Sequence, residues 1–278
     1  MATAYASESF DRLSLQDEFS DQLVKNVATN CSNTMVVIHN AGIRTVDAWI
    51  EHPNVTAVLY AGLPGQESGN SIADILWGDV SPSGRMPFTI AKNESDYGAL
   101  LNSTIGSGPY PQDNFTEGLY IDYRHFDKHN ITPRYEFGYG LSYSSFSYAD
   151  LSVEPVGAGT NTNEFPAEES PVPQGGPSDL WQVLFHVRVD ITNTGPVDAS
   201  EVPQLYVNIA TAPARQLRGF ERIHLACGAT ETVTFPVTRR DLSVWDVVAQ
   251  KWKLQSGEYP VYVGASSRDV RLTGVIVV

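Results

Sequence analysis

Cysteine is nearly absent from this chain: two in 278 residues, Cys31 and Cys227, far apart in sequence. They can pair, but two cysteines make no disulfide framework, and no metal-ligand spacing is visible, so no metal and no cofactor is expected. Basic residues are scarce too. Eighteen Lys and Arg stand against 32 Asp and Glu, a net charge of −14, which leaves little to neutralise nucleic-acid phosphates. No apolar run approaches the length of a membrane span. The first residues, MATAYASESF, lack the basic start and apolar stretch of a signal peptide. Nucleic acid and membrane are therefore not expected partners. Charged residues of all kinds make up only 18% against 42% hydrophobic, which permits a sizeable core and argues against global disorder. The length suits two ordinary domains or one large one.

What the sequence does have is sequons. Six N-x-S/T sites, at Asn30, Asn54, Asn93, Asn102, Asn114 and Asn130, fall within about a hundred residues. That density fits a chain evolved for the secretory pathway and an extracellular destination. The lack of a signal then implies that the natural N-terminus lies upstream, or that the chain is a fragment.

Along the first half the pattern is strand, helix, strand. Ser14 with Asp17 three residues on resembles an N-cap arrangement, opening a helix with Phe19, Leu23, Val24 and Val27 on one face and its end near Asn30. Met35–His39 is a continuous apolar run, the mark of a strand buried on both faces. A second helix is expected around Val46–Ile50 and a second strand at Val55–Tyr60. Gly62, Pro64 and Gly65 then turn the chain into a helix, Ser68–Trp77, with Ile72, Ile75 and Leu76 on one face. Gly78 stops it, Ser81-Pro82-Ser83-Gly84 turns again, and a strand is expected over Met86–Ile90. Alternating strands and helices point to a parallel sheet. The pattern starts abruptly, as though the first half of the sheet were missing.

From Glu94 to Leu151 regularity fades into aromatic and charged clusters, read as a covering segment. Residues 152–179 read as a Pro/Gly-rich linker. Beyond it the period becomes two. Val187, Val189 and Ile191 alternate with polar residues, as do Val233, Phe235 and Val237, and Tyr259, Val261 and Val263. About seven short strands without a helix describe an antiparallel β-sandwich over residues 180–278.

These pieces together resemble glycoside hydrolase family 3, the β-glucosidase type. The likeness is carried by VVIHN and HPNVTAV at 36–40 and 52–58, and by AGLPGQESGNSIADILWGDVSPSGRMPFT at 61–89. AKNESDYG at 91–98, EGLYIDYRHFD at 117–127 and ITPRYEFGYGLSYSSFSY at 131–148 continue it, with QLRGFERIHL at 216–225 and GASSRDVRL at 264–272 in the sandwich. The resemblance implies an α/β plus all-β fold. Residues 1–151 are similar to the C-terminal part of the family's α/β sandwich domain, and 180–278 to its fibronectin type III-like domain. The family's N-terminal (β/α)8 barrel, which carries the nucleophilic Asp, is the expected missing partner.

Retaining glycosidases use two carboxyl groups about 5 Å apart. The resemblance places the family's acid/base on Glu8, in the run Ala6-Ser7-Glu8-Ser9-Phe10-Asp11-Arg12, with Ser9 where a glycine is common. It places Phe10 where an aromatic flanks the leaving-group subsite, an apolar face against the C–H face of a sugar. Glu67 is the competing carboxylate, either a sugar contact or a helix-start charge set by the helix dipole, and the resemblance favours the second. His39 is expected as a hydrogen-bonded core histidine. Asp122, Arg124, His125 and Asp127 are expected to form a structural network. Trp181, Trp245 and Trp252 suggest either a glycan platform or core and interdomain packing, the expected role being packing. The implied substrates are β-glucosides such as cellobiose, with the chain inactive alone. The alternative is a non-catalytic carbohydrate-binding or interdomain interaction module.

Overall fold

The computed structural model describes residues 14–101, 114–157 and 160–278. The chain divides into two compact units, Met1–Asp79 with Pro87–Glu136, and Val80–Met86 with Phe137–Val278.

In the first unit, helix α1 spans Glu18–Asn30 and opens on Asp17, whose carboxylate accepts from the Ser20 backbone N–H at 3.3 Å and from its hydroxyl at 2.8 Å. Asp17 is the cap, not Ser14: the Ser14 oxygen accepts from Gln16 N–H at 3.0 Å, ahead of the helix, while its hydroxyl donates to Glu94 at 2.5 Å. The expected apolar face of α1 is also turned outward. Phe19, Leu23 and Val27 are exposed, while Ser20, Asp21 and Ala28 are buried. Two inward-facing donors explain the choice: Arg44 Nη2 and Trp49 Nε1 both reach Asp21 Oδ1, at 2.7 and 2.9 Å.

Strands β1 (Thr34–Ile38) and β2 (Val55–Tyr60) pair in parallel, with Ile38 opposite Tyr60. The parallel pairing agrees with the sequence pattern. Burial of β1 on both faces does not, since Met35 is exposed and Val36 and Val37 are only partly covered. The expected helix at Val46–Ile50 is a single turn, with Trp49 and Ile50 N–H bonding to the Val46 carbonyl. Pro53 follows closely, and the residue before a proline avoids helical backbone, so a longer helix has no room. Ile38, Val46 and Trp49 form one core with Val24, Val58 and Tyr60 around it.

Helix α2 is Ser68–Trp77, ended by Gly78 in the left-handed region at φ 82°. Its Ile72, Ile75 and Leu76 are the more covered residues, though none of the helix is fully buried. The expected strand Met86–Ile90 is replaced by irregular chain in which Ile90 alone bridges to Tyr135. Pro87 has no N–H for a ladder. Helix α3 (Tyr123–Lys128) is capped by Asp122 at φ 52°, whose carboxylate also binds the Thr89 N–H and hydroxyl at 2.9 and 2.6 Å. Behind it Ala91, Tyr97 and Phe126 make a second core.

The second unit is an antiparallel sandwich. β3 (Phe146–Pro155), β4 (Val183–Asn193) and β9 (Thr230–Thr238) form one sheet in that order. The other main sheet runs β13 (Val270–Val277), β12 (Glu258–Gly264), β6 (Gln204–Val207), β7 (Gln216–Phe220). β5 (Ala199–Glu201) pairs with β8 (Ile223–Leu225). A short helix, α4 (Arg239–Leu242), leads into a separate ribbon of β10 (Ser243–Asp246) and β11 (Lys251–Leu254). The period-two runs are the core: Val187, Val189, Ile191, Val261 and Val263 are completely buried, with Val233, Phe235, Val237 and Tyr259 nearly so. The short strands exceed the expected seven, and α4 breaks the expectation of no helix, because its capping box of Thr238 and Asp241 satisfies two backbone N–H groups at the start of one tight turn.

Two segments behave differently from their composition. Residues 146–155, at the edge of the aromatic region, are a sandwich strand. The Pro/Gly-rich stretch is tied to the sandwich along part of its length. Completely buried Arg239 donates to the carbonyls of Asn161 and Asn163, Leu254 N–H binds the Glu164 carbonyl at 2.8 Å, and Lys253 pairs with Glu164 at 2.5 Å. Val80–Met86 is likewise built into this unit: Met86 exchanges backbone bonds with Tyr139 and Gly138, and Arg85 pairs with buried Glu201 at 2.9 Å.

Candidate functional site

Glu8 and Phe10, the catalytic and sugar-contact candidates, lie outside the described residues, as does Asn102 of the sequons. The described chain begins at Ser14. Glu94 Oε1 receives the Ser14 hydroxyl at 2.5 Å, the Leu15 N–H, and the Gln16 N–H at 2.9 Å. The Leu15 carbonyl accepts from Thr45 N–H at 3.0 Å. Arg44 completes the anchor, with Nη1 3.3 Å from Asp17 and Nη2 2.7 Å from Asp21. Three donors converging on one carboxylate oxygen hold residues 14–16, six positions downstream of Glu8. Glu94 was not singled out from the sequence. Its only local signal was an acid in the Asn93 sequon, and its partners lie about eighty residues away.

The carboxyl ends of β1 and β2 lie side by side, which is where ligands of parallel α/β sheets collect. Their loops leave together: the Tyr60 hydroxyl donates to the Gly42 carbonyl at 2.7 Å, and Ala61 N–H to the Ile38 carbonyl at 2.9 Å. His39, next after β1, is half-buried.

Glu67, farther along the second loop, is exposed. Its carboxylate accepts from Asn70 Nδ2 at 2.6 Å and its carbonyl from the Ser71 hydroxyl at 2.9 Å, so its bonds are spent on the first turn of α2. This is the helix-start role.

Asp122 is wholly engaged in capping α3 and clamping Thr89. His125 Nε2 lies 3.0 Å from the Asp96 carbonyl, and the Arg124 guanidinium lies 5.6 Å from the Tyr123 ring centre. Asp122 and His125 thus hold local structure around α3, the structural role expected of them. Among the described residues no group of three or more His, Cys, Asp or Glu side chains is placed to hold a metal, and no helix is long and apolar enough to cross a membrane. Cys31 and Cys227 are free and exposed. Of the sequons, Asn30, Asn93, Asn114 and Asn130 are exposed, whereas Asn54 is half-buried and its Nδ2 donates to the Ala28 carbonyl at 2.7 Å.

In the sandwich Trp181 and Trp245 are exposed, by 57% and 45%, and Trp252 is half-buried. Packing in the core is not their role.

Comparison with known proteins adds the following. The family profile described as the glycosyl hydrolase family 3 C-terminal domain matches residues 1–143, and that of a fibronectin type III-like domain matches 201–267. A protein of Aspergillus flavus named probable beta-glucosidase M is 55% identical over 274 residues, covering 98% of this chain and 35% of its own length. Probable beta-glucosidase D of Aspergillus niger is 54% identical over 278 residues, again across 35% of its length. The crystal structure of a beta-D-glucoside glucohydrolase from Trichoderma reesei superposes with a TM-score of 0.87 at 48% identity, over 96% of this chain and 37% of that one. The chain thus spans about a third of the length of these relatives.

Proposed function

The chain belongs to glycoside hydrolase family 3, and we propose that it is the part of a retaining β-glucosidase that supplies the general acid/base, Glu8. The observation that carries this reading is identity above one half with proteins named as probable β-glucosidases, sustained over nearly the whole chain. In the proposed reaction Glu8 protonates the glycosidic oxygen as the bond to the anomeric carbon breaks, while an aspartate of the family's barrel domain attacks that carbon. Glu8 then takes a proton from water, which attacks the glycosyl-enzyme and restores the carboxylate. Phe10 lies against the leaving group.

The anchor at residues 14–17 supports the reading, since a proton donor must keep its position through both steps. The substrates proposed are terminal β-D-glucosides, cellobiose among them. The six sequons support a secreted, glycosylated enzyme. The two parts proposed are a portion of the α/β sandwich domain and the fibronectin type III-like domain, and the Pro/Gly-rich stretch is not their joint but runs between β3 and β4 within the second unit.

Residues 1–278 alone contain no proposed nucleophile, so the purified chain is expected not to hydrolyse an aryl β-glucoside. Turnover by the chain alone that disappears in Glu8→Gln would overturn the division of labour proposed here.

A further inference from the structure

Three of the five tryptophans gather around α4 in the sandwich unit. The turn Ser178–Trp181 packs on α4, and α4 packs on β10 and β11. Trp245 and Trp252 are directly opposed across the ribbon, ring centres 5.4 Å apart and planes at 70°. Arg240 of α4 stacks over Trp252, its guanidinium carbon 3.4 Å from the ring centre. The ribbon belongs to neither main sheet, and its tip, Val247 and Val248, is 72% and 91% exposed. The tip is braced by Asp246 Oδ1, which accepts from the N–H groups of Val248 and Ala249 at 2.9 Å each. Rigid, partly bare indoles on a braced ribbon are costly to leave in water, and a concentration of them marks a contact surface.

We propose that the face of Arg240, Trp245 and Trp252 binds a neutral β-linked glucan chain. The ligand follows from the chemistry. An anionic ligand meets a molecule of net charge −14. A cationic ligand seeking the free indole faces finds Trp252 already holding the protein's own cation. β-Linked glucose carries its hydroxyls equatorially, so each ring offers a flat C–H face to an indole and polar edges to a guanidinium. The glucan identity rests on the β-glucosidase reading; the existence of the platform does not.

The test uses the full chain with cellohexaose in calorimetry and with insoluble cellulose in a pull-down. Binding is expected, and is weakened about five- to tenfold by Trp245→Ala and by Trp252→Ala. Trp245→Tyr, which keeps a stacking ring, is expected to retain most of the affinity and controls for misfolding. The proposal falls if neither assay shows binding, if the alanine variants bind as the parent does, or if a xylan or chitin oligomer replaces cellohexaose as the ligand of this face. It falls too if sedimentation shows that the tryptophans instead pair two copies of the chain. Binding through the tryptophans in a protein whose Glu8 proves inert would sink the catalytic reading alone.

Discussion

At the scale of single residues, two carboxylates hold more structure than their neighbours reveal. The Ser20 hydroxyl, with the Ser20 N–H and Arg44, holds the Asp17 carboxyl below its ordinary 3.8 despite some burial. A group whose pKa is depressed by folding stabilises the fold above the unfolded value, and that contribution is lost as pH falls through the folded one. Asp17→Ala is therefore expected to cost about 1 kcal/mol at pH 6, the scale of a lost helix cap. At pH 2.5 the difference from the parent should shrink, as thermal melts of the two proteins at both pH values will show; an equal gap at both refutes the capping role. Glu201 is the deeper case. It is buried between Arg85 at 2.9 Å and the Tyr148 hydroxyl at 2.9 Å, and burial together with its charge pushes the Tyr148 phenol well above its usual pKa. Glu201→Ala leaves the Arg85 charge in that site uncompensated and is expected to cost about 3–5 kcal/mol in urea unfolding. A loss under about 1 kcal/mol would mean that the pair is solvated in solution.

At the scale of elements, what the sequence made legible was set by periodicity. The alternating runs of β4, β9 and β12 became the sandwich core, because period-two apolar residues can be buried only one way in a strand. The parallel pairing of β1 with β2 and the helix over 68–77 were legible on the same grounds. α1 was misread in orientation, since Phe19, Leu23 and Val27 form the apolar stripe while Asp21 takes the buried side. A single acid met by Arg44 and Trp49 outweighs the stripe, and neither partner is visible within the helix itself. The Pro/Gly-rich stretch hid its anchorage for a related reason: Arg239 grips its backbone carbonyls, which carry no sequence signature. Of the site, Glu8 and Phe10 were read by family likeness alone, and the Glu94 anchor was beyond reach of local pattern. Sequons show the same limit. The pattern marks Asn54 and Asn130 equally, but Asn54 Nδ2, the atom a glycan must use, is committed to the Ala28 carbonyl at the entry to β2. Mass spectrometry of the protein expressed through the secretory pathway of a fungal host is expected to find Asn54 bare and exposed Asn114 and Asn130 carrying glycan; a glycan on Asn54 contradicts the geometry.

At the scale of the whole molecule, the two units divide the work. The first anchors residues 14–17, a few positions downstream in sequence of the proposed acid/base, and the second is a close-packed sandwich whose ribbon carries the tryptophan face. The proposed chemistry needs a nucleophilic carboxylate as well, so the decisive protein is a chimera in which this chain replaces the matching third of the Aspergillus flavus relative. The most direct measurement is azide rescue of Glu8→Ala in that chimera. With an activated aryl β-glucoside the variant can still form the glycosyl-enzyme, since a good leaving group needs no proton, but water then attacks slowly without its base. Turnover, read as release of the aryl group, is expected to fall by about 10²–10⁴-fold and to be restored by azide, which replaces water as the nucleophile and gives β-glucosyl azide in place of glucose. Full activity in Glu8→Ala, or a loss that azide leaves untouched, would contradict the assignment of Glu8 as the acid/base.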